Sequence, residues 1–585
     1  MLELVGISLE IALPKSDPLA ILSHVGFIAP AGHLMAVLGP TQSGKSTLLS
    51  ILSGTQTATR GVIVWHGRDI TKNPLHINDV GFVPREDDVL HGSLTVQENI
   101  VSAMLLRLRD LTKEDIINRV SRLMILTGIE LISSQRASTL SRPQIRRLKL
   151  ALALVSDPLL LICDEFTDGL DTKSERELVA LLQGISRENP KRIVINATQS
   201  MSSLSAYDAV LVMNEGNVCF HGPARALPHY FSVKQLDEVY SRMAKRPASR
   251  WGESWHKHRD TYYTAFKLGG DTETLAAPTD EDDIMPKTSE DSDDDKIPRS
   301  FTTSGSDSVR AAPHLPSFSA QVKHLFRRRW TTFRRNRSEW LSQALLLVGL
   351  PLLAVLLMWR TKSHWIASPE TNAILSAQSV SMAVLVLSIW VILVATLTSS
   401  AEIARERAIF ERERQGGLRE SSYLLGKFLF LIPILLAHGA WLSLFVDMAT
   451  GGLPGHALVR LGLLIVSAIS FSALCLGISA QSRNADSAQK FCLWLALLQI
   501  PLSGALLAWP AQLGGVMHPL ISLHSCWSGS LSTLRQSGFS EAFAKINGTQ
   551  LQQAGMAFGI LGIHFLIGIT VAFLGLKTPA SQTKN

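Results

Sequence analysis

Cysteine is scarce in this chain: five in 585 residues, at Cys163, Cys219, Cys475, Cys492 and Cys526, with none at metal-ligand or paired spacing. That distribution speaks against a thiolate metal centre and against a disulfide framework. Cys163 and Cys219 fall in strand-like apolar runs and read as core thiols. No signal-peptide pattern precedes the first strand, so the N-terminal domain is expected in the cytosol. Aromatic residues are sparse at the start as well. Phe27 is the sole aromatic before residue 39, which leaves the stacking partner of a bound base undefined. Apolar residues, by contrast, make up 46% of the chain and are unevenly spread, ordinary in the first half and extreme in the second. The length exceeds one core, so a soluble part and a membrane part are expected. The net charge of +7 comes from basic residues clustered beside apolar spans, a pattern that favours anionic lipid headgroups over nucleic acid.

The first half is organised around Leu34-Met-Ala-Val-Leu38 followed by Gly39-Pro-Thr-Gln-Ser-Gly-Lys-Ser-Thr47. An apolar strand, a Gly-rich loop and a helix opening at Leu48 form the setting of a phosphate-binding loop, and Gly39-x4-Gly44-Lys45-Ser46 fits its pattern residue for residue. Gly39 and Gly44 let backbone N–H groups turn onto phosphate, and the helix N-terminus adds a favourable dipole. Gly39, Pro40, Thr41, Gln42, Ser43, Gly44, Lys45, Ser46 and Thr47 are therefore the expected nucleotide-binding residues. Lys45 is assigned to the β- and γ-phosphates and Ser46 to Mg²⁺. About 120 residues on, Leu159-Leu-Leu-Ile-Cys163 reads as a buried strand ending in Asp164-Glu165. A carboxylate at a strand tip suits Mg²⁺, here Asp164, and the next, Glu165, can polarise an attacking water as the catalytic residue.

Together with Gly169-Leu-Asp171, the string Tyr207-Asp-Ala-Val-Leu-Val-Met-Asn-Glu-Gly-Asn-Val-Cys-Phe-His-Gly-Pro223 and the segment His91-Gly-Ser-Leu-Thr-Val-Gln-Glu-Asn99, these motifs resemble an ATP-binding cassette (ABC) half-transporter of the G (white/brown) subfamily. The resemblance covers nearly the whole chain. It implies an α/β P-loop ATP-binding cassette followed by an all-α six-span transmembrane domain. It also implies sandwich dimers in which each ATP meets one chain's P-loop and the other's signature, here Ser141 and Gln144.

Three departures from that pattern bear on activity. Arg85 (or Glu86, if the register differs by one) stands where the family has its Q-loop glutamine. The Ser-Gly-Gly-Gln signature appears as Ser141-Arg-Pro-Gln144, whose proline removes an N–H donor and whose arginine adds bulk where backbone must approach phosphate. The switch histidine appears as Thr198, followed by Gln199; threonine can donate a hydrogen bond but cannot carry imidazole's charge. Slow hydrolysis with better-preserved binding is the expectation, either in a homodimer or beside another half-transporter.

The cassette is expected over 1–235 and a disordered acidic linker over 236–315, carrying Asp280-Glu-Asp-Asp283 and Glu290-Asp-Ser-Asp-Asp-Asp295. The linker reads as a solvated tether or a phosphorylatable insert. Residues 316–340, with Arg327-Arg-Arg329, Arg334, Arg335 and Arg337 among apolar positions, read as a basic amphipathic connecting helix at the membrane surface. Six spans are expected near 341–359, 374–399, 424–447, 458–480, 488–508 and 555–576. The arginines between Ala401 and Tyr423 place both termini in the cytosol. Glu406–Gln415 and Glu420–Lys427 resemble the subfamily's coupling segment. His438 in the third span is either a functional intramembrane group or a neutral histidine at a helix contact. Asp447 and Arg460 are expected at the outer boundary. Trp509–Gln553 resembles the large external loop, with a glycosylation sequon at Asn547 and one cysteine, Cys526, able to bond only between subunits. The cargo implied by the family is an amphipathic or lipid-like small molecule; nucleic acid is not an expected partner.

Overall fold

The computed structural model describes residues 1–11, 18–72, 75–87, 89–266, 315–358, 369–507, 509–536 and 551–578. The chain forms two compact units, Met1–Leu90 with Thr95–Leu315, and His91–Leu94 with Pro316–Asn585.

In the first unit, β1 (Leu2–Ile11), β2 (Leu19–Ala29), β4 (Arg60–Trp65) and β5 (Arg68–Asp69) form an antiparallel sheet in the order β2-β1-β4-β5. A second sheet runs β10-β9-β3-β8-β7-β6, from β3 (Leu34–Leu38), β6 (Val80–Val83), β7 (Leu160–Asp164), β8 (Ile193–Thr198), β9 (Ala209–Asn214) and β10 (Asn217–Gly222). Its strands are parallel except for the β9–β10 hairpin. Every residue of β3, β7 and β8 is buried, as continuous apolar runs in a doubly covered parallel sheet require. Register matters for function. Leu38 pairs with Thr198 and Asp164 with Ala197, so the carboxyl ends of three neighbouring strands finish level with one another. Ligands of open α/β sheets gather at such ends. The helices α1 (Lys45–Leu52), α2 (Val96–Arg107), α3 (Lys113–Thr127), α4 (Arg142–Ala153) and α5 (Thr172–Glu188) complete the unit's main body.

Residues 236–266, the described part of the expected 236–315 linker, are largely helical. After α6 (Leu227–Phe231) come α7 (Glu238–Met243) and α8 (Ala248–Phe266). Trp251, Trp255 and Tyr263 of α8 are buried, and Trp255 and Tyr262 pack on Phe220 of β10 at ring-centroid distances of 5.3 and 5.8 Å. Aromatic burial of this kind holds the helix in place despite its polar face. The acidic blocks near 280–295 lie outside the described residues.

The second unit is helical. Five helical stretches among the described residues are long and apolar enough to cross a membrane: Arg337–Met358, Ala377–Gln415, Glu420–Thr450, Ala457–Gln481 and Ala554–Lys577. The remaining expected span corresponds to the 18-residue helix Ala485–Leu502. Helices Ala457–Gln481 and Ala554–Lys577 approach closely at Gly568, where a Cβ would fall 2.4 Å from the Ala473 carbonyl carbon. Small residues at such crossings let helix backbones touch.

The basic helix is Phe318–Arg335. Arg328 and Arg329 do not face headgroups as a surface reading would have them; both are buried in ion pairs. Arg328 meets both oxygens of Glu413 at 2.6 and 2.9 Å, and Arg329 meets Glu402 at 2.5 and 2.9 Å. Lys427 joins Glu402 at 2.9 Å and Glu406 at 2.6 Å. His438 bonds the Ile434 carbonyl of its own helix through Nδ1 at 2.8 Å, while its Nε2 is buried without a hydrogen-bond partner among the described residues. Arg460 Nη2 donates to both Asp447 carboxylate oxygens at 2.9 Å. Within the stretch read as an external loop, Ser522–Ser532 is a helix whose residues 522–531 are all buried. Cys526 accepts a hydrogen bond from Ser388 at 3.3 Å and is fully buried, which rules out the bond between subunits while this packing persists. Asn547 lies outside the described residues.

Candidate nucleotide site

The loop between β3 and α1 has the geometry its glycines call for. A Cβ on Gly39 would lie 2.4 Å from Ser43 Oγ and 2.5 Å from the Met213 carbonyl oxygen, so no larger residue fits. Gly44 sits at φ 94° as the N-cap of α1, in backbone space that costs other residues energy. Gln42 also takes a positive φ of 66°. Lys45 is buried, and its ammonium donates to the carbonyls of Gly39 at 2.7 Å and Pro40 at 3.0 Å. Burial lowers its pKa, opposed by the carboxylates of Glu165, Asp168 and Asp164.

Below the loop, Ser46 Oγ donates to Asp164 Oδ1 at 3.1 Å, although 118 residues separate them. Burial pushes the Asp164 carboxyl up to about 6, against the hydrogen bond from Ser46. A desolvated carboxylate beside a hydroxyl, under a lysine, is a donor set that a Mg²⁺–polyphosphate fits: the cation would recover the solvation the carboxylate lacks. Lys45 and the N–H groups of the loop would hold the phosphates. Phe27, by contrast, is buried in the core beside His221, which removes it as a platform for the base.

Glu165 follows at φ 46°, a strained position for a side chain of its size. Gln199 Nε2 donates to its Oε1 at 3.1 Å, and Arg85 Nε stands 2.9 Å from Oε2. Thr198, placed at the switch position by sequence, turns elsewhere and donates to Asp168 Oδ1 at 2.5 Å. Burial raises the pKa of Asp168, which also accepts from the Gln199 N–H at 3.2 Å. Asp168, Gln199 and Tyr240, whose hydroxyl donates to the Gln199 carbonyl at 3.2 Å, are site residues that motif reading missed.

Ser141 and Gln144 are not brought to this cluster. The Gln144 carboxamide oxygen accepts from the Ser141 N–H at 2.9 Å, capping α4. Arg142 and Pro143 occupy the first turn of that helix. Asp171 caps α5 by accepting from the N–H groups of Lys173 and Ser174 at 3.1 and 2.9 Å.

With this geometry in hand, comparison with known proteins is specific. Residues 22–168 match the ABC transporter family model, and residues 320–513 match the ABC-2 type transporter model. Among curated relatives, the ABC transporter ATP-binding/permease protein Rv1747 of Mycobacterium tuberculosis is 32% identical over 230 residues, 39% of this chain and 26% of its own length. The ABC transporter G family member 26 of Arabidopsis thaliana is 34% identical over 218 residues, 36% of this chain and 31% of its own length. The sulfate/thiosulfate import ATP-binding protein CysA of Synechococcus elongatus is 31% identical over 265 residues, 42% of this chain and 76% of its own length. The chain spans 26% to 55% of the first two curated relatives. Among solved structures, cbiO1 from Clostridium perfringens aligns with 44% of this chain and 98% of its own at 26% identity, with a TM-score of 0.36. The MJ0796 cassette bound to ADP and Pi aligns with 38% of this chain and 99% of its own at 22% identity, with a TM-score of 0.35. A P-loop and a strand-tip carboxylate joined across one sheet, and two family matches in the order cassette then membrane domain, lead to one statement: the chain belongs to the ABC transporter family, with an ATP-binding cassette followed by an ABC-2 type membrane domain.

Proposed function

We propose that the chain is an ATP-dependent half-transporter of the G (white/brown) subfamily. In this reading it exports an amphipathic or lipid-like small molecule as a homodimer or beside another half-transporter, with the cassette and both termini in the cytosol. The contact of Ser46 with Asp164 beneath Lys45 is the observation that carries the nucleotide part of the reading. Lys45 and the loop amides bind phosphate; Ser46 and Asp164 would hold Mg²⁺, which would neutralise phosphate charge; Glu165 orients a water and accepts its proton. Signature residues Ser141 and Gln144 are assigned to the partner's nucleotide, in line with their separation from this chain's own P-loop cluster. The G-family relative supports the subfamily, and the lipid-like cargo is what resemblance to that subfamily implies.

A second reading is favoured by the Arg85 contact with Glu165: an ATP-binding switch or regulatory half that needs a catalytically complete partner. ATP turnover of the purified full chain in lipid separates the two, with E165Q and K45A as controls. Turnover lost in E165Q supports the autonomous transporter. Lys45-dependent ATP binding without Glu165-dependent turnover removes that reading and leaves the second.

A further inference from the structure

Glu165 is assigned the task of accepting a proton from water, yet protein groups occupy both of its oxygens. Gln199 donates to one at 3.1 Å, and the Arg85 guanidinium stands 2.9 Å from the other. The carboxylate itself is buried, its side chain 8% exposed, while Arg85 is 61% exposed. The two partners therefore differ in kind. Gln199 is anchored by its own backbone, its N–H on Asp168 and its carbonyl under the Tyr240 hydroxyl. Arg85 is anchored only behind its side chain. Its carbonyl accepts from Arg146 at 2.9 Å and from Lys149 at 3.3 Å, both on α4, while the guanidinium reaches the carboxylate from the solvent side.

A carboxylate that meets a cation and an amide has the lone pairs of both oxygens directed at protein, so neither oxygen is free to orient a water. An exposed cation is also the easier of the two to displace, because water and salt compete for it. We propose that Arg85 is a releasable positioning residue that holds Glu165 away from water and so limits turnover. Gln199, not Thr198, keeps the carboxylate oriented when Arg85 leaves. The inference rests on the ATP-hydrolysing reading above and names the regulation of that same site.

The test uses the purified full chain in lipid vesicles, with ATP as substrate. R85Q raises kcat by about fivefold or more, the equivalent of roughly 1 kcal/mol, at unchanged KM, and the gain disappears in R85Q/E165Q. Raising ionic strength from about 0.05 to about 0.5 M increases wild-type turnover and leaves R85Q flat, a response that a merely structural arginine would not produce. Q199A in the R85Q background lowers kcat at unchanged KM; an unchanged kcat removes Gln199 from the proposal. A folded R85Q with kcat equal to or below wild type, including none in either, overturns the role of Arg85. Should R85Q fail to fold, the wild-type salt response decides, and a flat response overturns it. Loss of Lys45-dependent ATP binding is a separate readout and strikes the nucleotide reading instead.

Discussion

Ser46 Oγ donates to Asp164 Oδ1 across 3.1 Å, tying the first turn of α1 to the tip of β7. The Asp164 carboxyl is pushed up to about 6 by burial. Its sign is opposite to that of a salt-bridged aspartate. Between about pH 4 and 6 the folded chain keeps a proton that the unfolded chain gives up, so this group's contribution to stability falls as pH rises through that window. A cation bound to the ionised form acts the other way. Mg²⁺ affinity in the presence of ATP should therefore drop by about tenfold per unit below pH 6 and level off above pH 7. Isothermal titration across pH checks this, and D164N should flatten the profile. A pH-independent affinity in the wild type would remove Asp164 as the metal ligand.

The pair of Arg328 with Glu413 predicts a large stability effect within the helical unit. Both side chains are buried, at 6% and 4% exposure, so truncating Glu413 takes from a buried guanidinium the carboxylate that accepts two of its hydrogen bonds. E413A should cost about 3–5 kcal/mol, and replacing both partners with apolar residues should restore much of that. Thermal unfolding monitored by size-exclusion chromatography reads the difference. An E413A protein as stable as wild type would contradict the buried pair.

At Gly568 the expected effect is steric. A side chain there meets backbone atoms of Ala473 and Leu474, neither of which can swing aside. G568V should destabilise the membrane unit by about 1–3 kcal/mol or more, whereas G559V, which meets nothing within 4 Å, should be near neutral. The difference between the two melting temperatures is the measurement. Equal shifts would mean that helices Ala457–Gln481 and Ala554–Lys577 do not cross at this point.

What was legible in the sequence was contiguous. Gly39 to Thr47 carries its loop geometry in one run, and Asp164-Glu165 follows an apolar strand directly, so both could be assigned without knowing any distant partner. The pairing of Arg85 with Glu165 joins residues 80 positions apart through side-chain conformation, which no local pattern encodes. Thr198 and Gln199 were separable only in three dimensions. Successive residues at a strand end point to opposite sides, so one step along the chain changed which carboxylate was reached. Arg328 and Arg329 read as lipid-facing because charge was counted along one helix, while Glu402, Glu406 and Glu413 stood in a loop read for its arginines. α8 did leave a trace. Trp251, Trp255 and Tyr263 recur at helical spacing, but the polar composition around them concealed the stripe.

The hold of α4 on the segment after β6 has a mechanical consequence. Arg146 and Lys149 grip the Arg85 carbonyl, and Lys149 also takes the Glu86 carbonyl at 2.7 Å and the Asp87 carboxylate at 3.2 Å. Helix and segment are therefore joined like a lever with Arg85 at its tip, and Glu165 is the stop against which that tip rests. A tilt of α4, which begins at Arg142, would therefore be felt at the Glu165 carboxylate through Arg85 alone.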